Sequence, residues 1–412
     1  MTPTEPHRPE PHRPQPVRLG EEFVQDPYRL YERIRTEQPV LPALLPHGLR
    51  VWIVSRYADA RAALADPRLR KDSVRQQELS ARQAAETDST PVITEFLNSH
   101  MLNTDPPDHT RLRKLVNAAF SSRRVSGLRP RIAEIADRLL DALPRGQVVD
   151  LVDGFAYPLP ITVICELLGV PDRDRADFRS WTATLLNTGV ADAELAAASD
   201  AMVGYLDALI ERKRRTHGQD LISALVEARD AGDRLDAAEL RAMVFVLLVG
   251  GHETMVNLIG NGTLSLLRNP RQLAALRADP DRLPAAIEEF LRYEGPVNFT
   301  TFRFTAEEVR IGEVTVPEGE FVVIALPSAN RDGGRFERPD ELDIGRSTAG
   351  HLAFGHGVHY CVGAHLARVQ AEIAFGRLLA RFPKITLAVP PEELTWRHST
   401  LMRGLEALPV RL

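Results

Sequence analysis

The stretch from Asp236 to Leu267 constrains the fold of this 412-residue chain more than any other. It reads as one helix. The Asp236 carboxylate can cap its first turn together with Glu239, three positions on, and Asn269-Pro270 ends it because proline cannot continue a helix. At about 1.5 Å per residue such a helix runs roughly 48 Å, enough to cross a whole domain. Its apolar residues lie nearly all round, a pattern that suits burial on every side rather than one face on a core. Yet its longest unbroken apolar run, Met243 to Val249, is far short of the about 20 residues of a membrane span. A large helical body built around this element is expected, with no membrane segment.

The flanking sequence agrees. From about Asp108 to Gly232 apolar residues recur mostly at three and four, punctuated by GLRPR, LPRGQVVDL and GVPDRDRADF. DPYRLYERIRTEQPV predicts a first helix, and VWIVSRYADARAALADPRL a strand that runs into a helix. VRIGEVTVPEGEFVVIAL alternates and carries turn residues, which predicts a small antiparallel sheet. Length alone would allow two or three domains, but no linker or long repeat divides the chain. The expected fold is therefore mainly α with a small β subregion, in one domain over residues 21–412. Residues 1–20 repeat a PHRP unit and are expected to be a disordered tail. They lack the apolar region of a secretory signal, so a cytoplasmic location is expected. A net charge of −5 argues against broad nucleic-acid binding.

Two cysteines leave no disulfide framework. Cys165, in PITVICELLGVP, reads as core. Cys361 is different. In FGHGVHYCVGAHLAR it stands between Gly355, Gly357 and Gly363 at the start of a helix whose face carries Leu366, Val369 and Ile373. Unpaired N–H groups at a helix start favour thiolate over thiol, and the glycines let the backbone approach a flat object closely. Four readings compete: a buried structural cysteine, a zinc ligand with His356, His359 and His365, a nucleophile, and an axial thiolate ligand to haem iron. Bulky packing on the sulfur is missing, and a closed zinc site wants a second cysteine pair. No nucleophile signature surrounds the residue. Haem ligation needs one sulfur, an open backbone and N–H donors.

The spacing Phe354-x-x-Gly357-x-His359-x-Cys361-x-Gly363 resembles the haem-binding loop of the cytochrome P450 family. The resemblance implies that Cys361 holds the iron of haem b, that Phe354 packs beside the sulfur with Gly355 and Gly363 shaping the loop, and that His359 meets a propionate. Other segments resemble the same family from about Asp26 to Leu412, closest to actinobacterial members that tailor macrolides and other polyketides. Gly250, Gly251, Glu253 and Thr254 fit its oxygen-activating segment, where the helix loosens and an acid and an alcohol deliver protons to bound O2. Without the resemblance, Thr254 would read as a hydroxyl bonded back to a carbonyl one turn earlier. Glu289 and Arg292 match the family's buried ion pair. His109, Arg113 and Arg303 match its propionate partners, arginine being suited to carboxylates.

The function so implied is hydroxylation of a C–H bond in a fairly large apolar molecule: a macrolide, another polyketide, a terpenoid or a steroid-like compound. Electrons would come from NAD(P)H through a ferredoxin reductase and a ferredoxin. The pocket walls it implies are Phe96, Leu97, Val246, Val249, Asn298, Phe299, Leu401 and Met402. Arg111, Lys114 and Arg368 are candidates for a positive face toward an acidic ferredoxin. A monomer without nucleic-acid or membrane partners is expected. An epoxidising or coupling variant of the scaffold, or a non-catalytic haem-binding protein, stays as the alternative.

Overall fold

The computed structural model describes residues 15–87, 100–117, 119–216, 218–230 and 235–412. Its axis is the helix Ala237–Arg268, capped as expected: the Glu239 amide donates to the Asp236 carboxylate at 2.7 Å, and the Asp236 amide to the Glu239 carboxylate at 3.0 Å. The most apolar 18-residue window of this helix is 72% buried inside the protein. Helices Pro158–Leu168, Asp192–Arg215, Leu283–Tyr293 and Ala364–Arg381 pack against it, and Ala364–Arg381 packs in turn on Arg129–Ala142. Side chains that would be exposed on a lone helix are thus core here, Cys165 among them. That cysteine is fully buried, and burial pushes its thiol up to about 12.

The β region departs from the expected layout. Val309–Ile311 and Val314–Val316 form a two-stranded antiparallel hairpin. Phe321–Ile324 instead joins a mixed six-stranded sheet, running parallel to Arg50–Val54 and antiparallel to Arg303–Thr305. The physical reason is burial on both faces: all four of its residues are in the core, so it needs a neighbour on each edge, which one local hairpin cannot supply. Residues 17–19, expected in the tail, are instead part of the fold. Val17–Arg18 adds to the sheet beside Val40–Leu44, and Leu19 is buried, because Val17 and Leu19 flank Arg18 in a strand's alternation. Residues 1–14 lie outside the described residues.

Glu289 and Arg292 are both fully buried, and Arg292 Nε and one terminal nitrogen donate to the two carboxylate oxygens at 2.7 Å each. The remaining guanidinium donors reach the carbonyls of Asn330, Pro339 and Glu341. Asn330 then accepts the Leu352 amide at 2.6 Å. One fork-shaped cation thereby ties three chain segments to the start of the loop that carries Cys361.

Candidate active site

The loop is closed on itself by backbone bonds. The Cys361 amide donates to the Phe354 carbonyl at 2.9 Å, and the Gly355 amide to Leu352 at 2.8 Å. Gly355 and Gly357 sit at φ 73° and 74°, where side chains are strained. At Gly357 a Cβ would also approach the Leu64 carbonyl oxygen to 3.0 Å, since the loop lies on the end of helix Tyr57–Ala65. Gly363 has an ordinary φ of −84° and serves as the N-cap of helix Ala364–Arg381. The Phe354 ring lies beneath the Arg368 guanidinium, 4.6 Å from its centroid.

Cys361 is exposed to the space in front of the loop, while protein crowds the sulfur elsewhere. That desolvation raises its pKa above the usual thiol value, outweighing the Gly363 amide and the charges of Arg113 and Arg368. The expected thiolate preference is therefore reversed: the helix start alone does not ionise this thiol. A bound metal would, because a coordinating thiol is deprotonated outright.

Around His359 of this loop lies a buried patch of basic side chains. The rings of His109 and His359 meet with centroids 4.4 Å apart. Arg303 is 3% exposed, and no hydrogen bond or ion pair reaches its guanidinium among the described residues. Burial lowers it to about 10. His359 is pushed down to about 2 by burial and by Lys71 and Arg303, and its Nδ1 has no partner. Arg113 is committed differently from expectation, donating to the loop carbonyls of Val358 at 3.0 Å and Tyr360 at 2.6 Å. Two members escaped the sequence reading. Lys71 is 1% exposed and His100 5% exposed; burial and the Lys71 charge press His100 down to about 3. Lys71 follows the strand Leu69–Arg70, so alternation sends it inward with Leu69, a signal present in the sequence but tied to no motif.

Desolvated cations without counter-anions are costly. Together with an open sulfur they fit a flat group that carries a thiolate-binding metal and two carboxylates, as haem does. No group of three His, Cys, Asp or Glu side chains that could hold a bare ion occurs among the described residues.

On the central helix, Gly250 and Gly251 do different things. A Cβ on Gly250 would meet nothing within 4 Å, so this glycine opens space. At Gly251 a Cβ would lie 2.6 Å from Ile164 Cδ1, so that glycine lets helix Pro158–Leu168 pack closely rather than opening the helix, a correction to its expected role. The helix is unbroken from Ala237 to Arg268; any loosening is local, at the Thr254 hydroxyl, which donates to the Gly250 carbonyl at 2.9 Å. Glu253 is 2% exposed and turned to Arg397, 2.6 Å away, with His252 Nε2 at 3.4 Å. Burial alone would raise its carboxyl, but His252 and Arg397 prevail and hold it at about 2. A depressed carboxyl adds stability above its ordinary value of 4.5 and loses it as pH falls toward 2. Arg397→Gln is accordingly expected to melt lower than the wild type at neutral pH. The two melting curves should converge as pH approaches 2; a gap that persists there would mean Arg397 acts by packing alone.

Of the pocket residues, Phe96 and Leu97 lie outside the described residues. Val246 and Leu401 are half-buried, and Val249 and Met402 buried. Asn298 ties the chain to residues 401 and 402, its amide N–H donating to the Leu401 carbonyl at 2.8 Å. Phe299 faces the opposite side of the same extended segment, stacked on Phe23 at 5.5 Å in the core of the sheet, so it is not a wall. On the outer face Arg111 pairs with Glu239 and Arg368 with Glu288. Of the three expected basic residues, Lys114 is the exposed one, with no partner among the described residues.

The sequence profile of the family described as Cytochrome P450 matches residues 177–402. Cytochrome P450 107B1 of Saccharopolyspora erythraea is 59% identical over 94% of this chain and 96% of its own length. Cytochrome P450 monooxygenase PikC of Streptomyces venezuelae is 50% identical over 95% of this chain and 92% of its own. The tirandamycin C-bound structure of the P450 monooxygenase TamI superposes with a TM-score of 0.91 at 52% identity, covering 96% of this chain and all of that one. Likeness of that degree over 94–96% of the chain, to P450 proteins of which PikC and TamI are named monooxygenases, makes this chain an oxygenase of the cytochrome P450 family.

Proposed function

We propose that the protein hydroxylates a large, mostly apolar natural product of macrolide or other polyketide type, with electrons from NAD(P)H passed through a ferredoxin reductase and a ferredoxin. The observation that carries this reading is the open Cys361 sulfur beside a buried set of cations that lack anions. TamI, half identical to this chain, binds tirandamycin C, which supports the substrate class. Haem b, when bound, supplies the O2-activating iron, and a thiolate ligand enriches it with electron density.

The chain's own residues do the rest. Cys361 is the metal ligand, held in place by the Phe354 carbonyl and by Arg113 on the two carbonyls that flank His359. Arg303, His109 and His359 receive the carboxylates of the group. Gly250 leaves room beside the reacting atoms. The Thr254 hydroxyl, donating to Gly250, keeps its oxygen free to accept from a water and so to orient it. Glu253 is the proton carrier behind it; parted from Arg397, its carboxyl rises and can take up and pass on a proton. Val246, Val249, Leu401 and Met402 give the substrate an apolar bed and exclude water. Outside the loop, a depression of about 600 Å³ is lined by Arg61, Arg346, His351, His356 and Arg368 with Glu288 as its one carboxylate, an excess of basic groups suited to an acidic electron donor.

The test is a screen of macrolide, terpenoid and steroid compounds for the Soret shift that follows loss of iron-bound water; no shift with any macrolide or other polyketide would sink the substrate class. Thr254→Ala is expected to keep the haem spectrum while product formed per electron falls about tenfold or more, since a positioned proton donor is worth roughly 10²–10⁴. Unchanged coupling would remove Thr254 from the proton path.

A further inference from the structure

Lys71 is a buried cation with no assigned purpose. It is 1% exposed. Its Nζ donates to the Leu102 carbonyl at 2.7 Å and to the Thr301 hydroxyl. Both acceptors are neutral, and an ammonium has three donors. The nearest carboxylate, Asp105, is spent on backbone and surface: it accepts the Lys71 amide at 2.9 Å and Arg70 Nε at 3.2 Å. Arg303 lies close enough to Lys71 for their charges to repel.

Two buried basic side chains, Lys71 and Arg303, whose one carboxylate neighbour Asp105 is bonded to a backbone amide and a surface arginine, leave this region short of negative charge. An uncompensated buried charge is among the most destabilising features a fold can carry. The element that carries Lys71 shows where the missing anion belongs: Leu69–Arg70 pairs with Arg303–Thr305, so Lys71 and Arg303 project from adjacent strands toward His359, two residues from Cys361.

Resting on the reading that the chain binds haem, we propose that Lys71 is a further haem-binding residue, its ammonium pairing with a propionate shared with Arg303 and thereby helping to set the reduction potential of the iron. Removing a positive charge there disfavours the reduced state, which carries one positive charge less at the metal, so the potential falls.

The experiment compares wild-type holoenzyme with Lys71→Met and Lys71→Arg by three readouts: midpoint potential, the propionate bending bands in resonance Raman spectra, and the rate of haem transfer to apomyoglobin. In Lys71→Met the potential should fall, the propionate bands should shift, and haem should leave about tenfold faster or more, the loss of a charge-assisted bond being worth roughly 1.5–3 kcal/mol. Lys71→Arg should restore the potential. If Lys71→Met melts lower but matches the wild type in all three, Lys71 only props Leu102 and Thr301, and the proposal is overturned. Should Lys71→Met not accumulate, Lys71→Gln keeps a polar amide against Leu102 and carries the same expectations. A wild-type protein that takes up no haem would instead overturn the underlying reading, whatever the Lys71 variants do.

Discussion

Cys361→Ser is expected to abolish turnover and to erase the red-shifted absorption band that the reduced, CO-bound form of a thiolate-ligated haem gives. A serine puts a neutral hydroxyl where the sulfur stood and cannot supply the thiolate's electron density to the iron. The loop backbone does not depend on the side chain, since the bond from the Cys361 amide to Phe354 and the two glycines at positive φ shape it. The variant should therefore fold and take up some haem, held by Arg303 and its neighbours, but with an altered spectrum. A variant that kept the wild-type band would mean the iron is held by another atom, and the assignment of this site would fall with it.

Arg292→Leu is the second large effect, this time on stability. The substitution leaves the Glu289 carboxylate fully buried with the Asp343 amide at 2.9 Å and the Arg346 guanidinium at 3.4 Å as its neighbours. It also strips donors from the carbonyls of Asn330, Pro339 and Glu341. Breaking one partner of such a pair costs about 3–5 kcal/mol, a large share of the roughly 5–15 kcal/mol that holds a typical protein folded. Low yield and early haem loss on warming are expected, because Asn330 also holds the start of the cysteine loop. Arg292→Lys should rescue little, as a lysine cannot make the two parallel bonds. The double change Glu289→Leu with Arg292→Leu should be less destabilised than the sum of the singles, measurable by denaturant unfolding of the holoprotein. Additive costs would show that the pair does not act as a unit.

The parts legible in the sequence were those governed by neighbours along the chain. The central helix and its cap, the strand that leads into helix Tyr57–Ala65, and the cysteine at the mouth of helix Ala364–Arg381 follow from periodicity, capping chemistry and short spacing. The Glu289–Arg292 contact is likewise three residues long. Two glycines side by side in a helix announced that something unusual happens there, but not that each has a separate task. Gly251 is small because Ile164, far back in the chain, needs the room.

What only the tertiary structure decided are features whose partners lie on other elements. Whether Cys361 ionises depends on how much protein surrounds the sulfur, and that desolvation overrode the helix start. The inward turn of Phe299 depends on Phe23 and Tyr31 meeting it across the sheet. Glu253 reads as a free acid in the helix until Arg397, 144 positions later, is brought beside it. Lys71 is an ordinary surface residue by composition and becomes part of a buried cationic patch only when two strands distant in sequence pair. Local chemistry acts over three or four residues and leaves a pattern in the sequence; charge, burial and packing act through space, and the fold alone sets those distances.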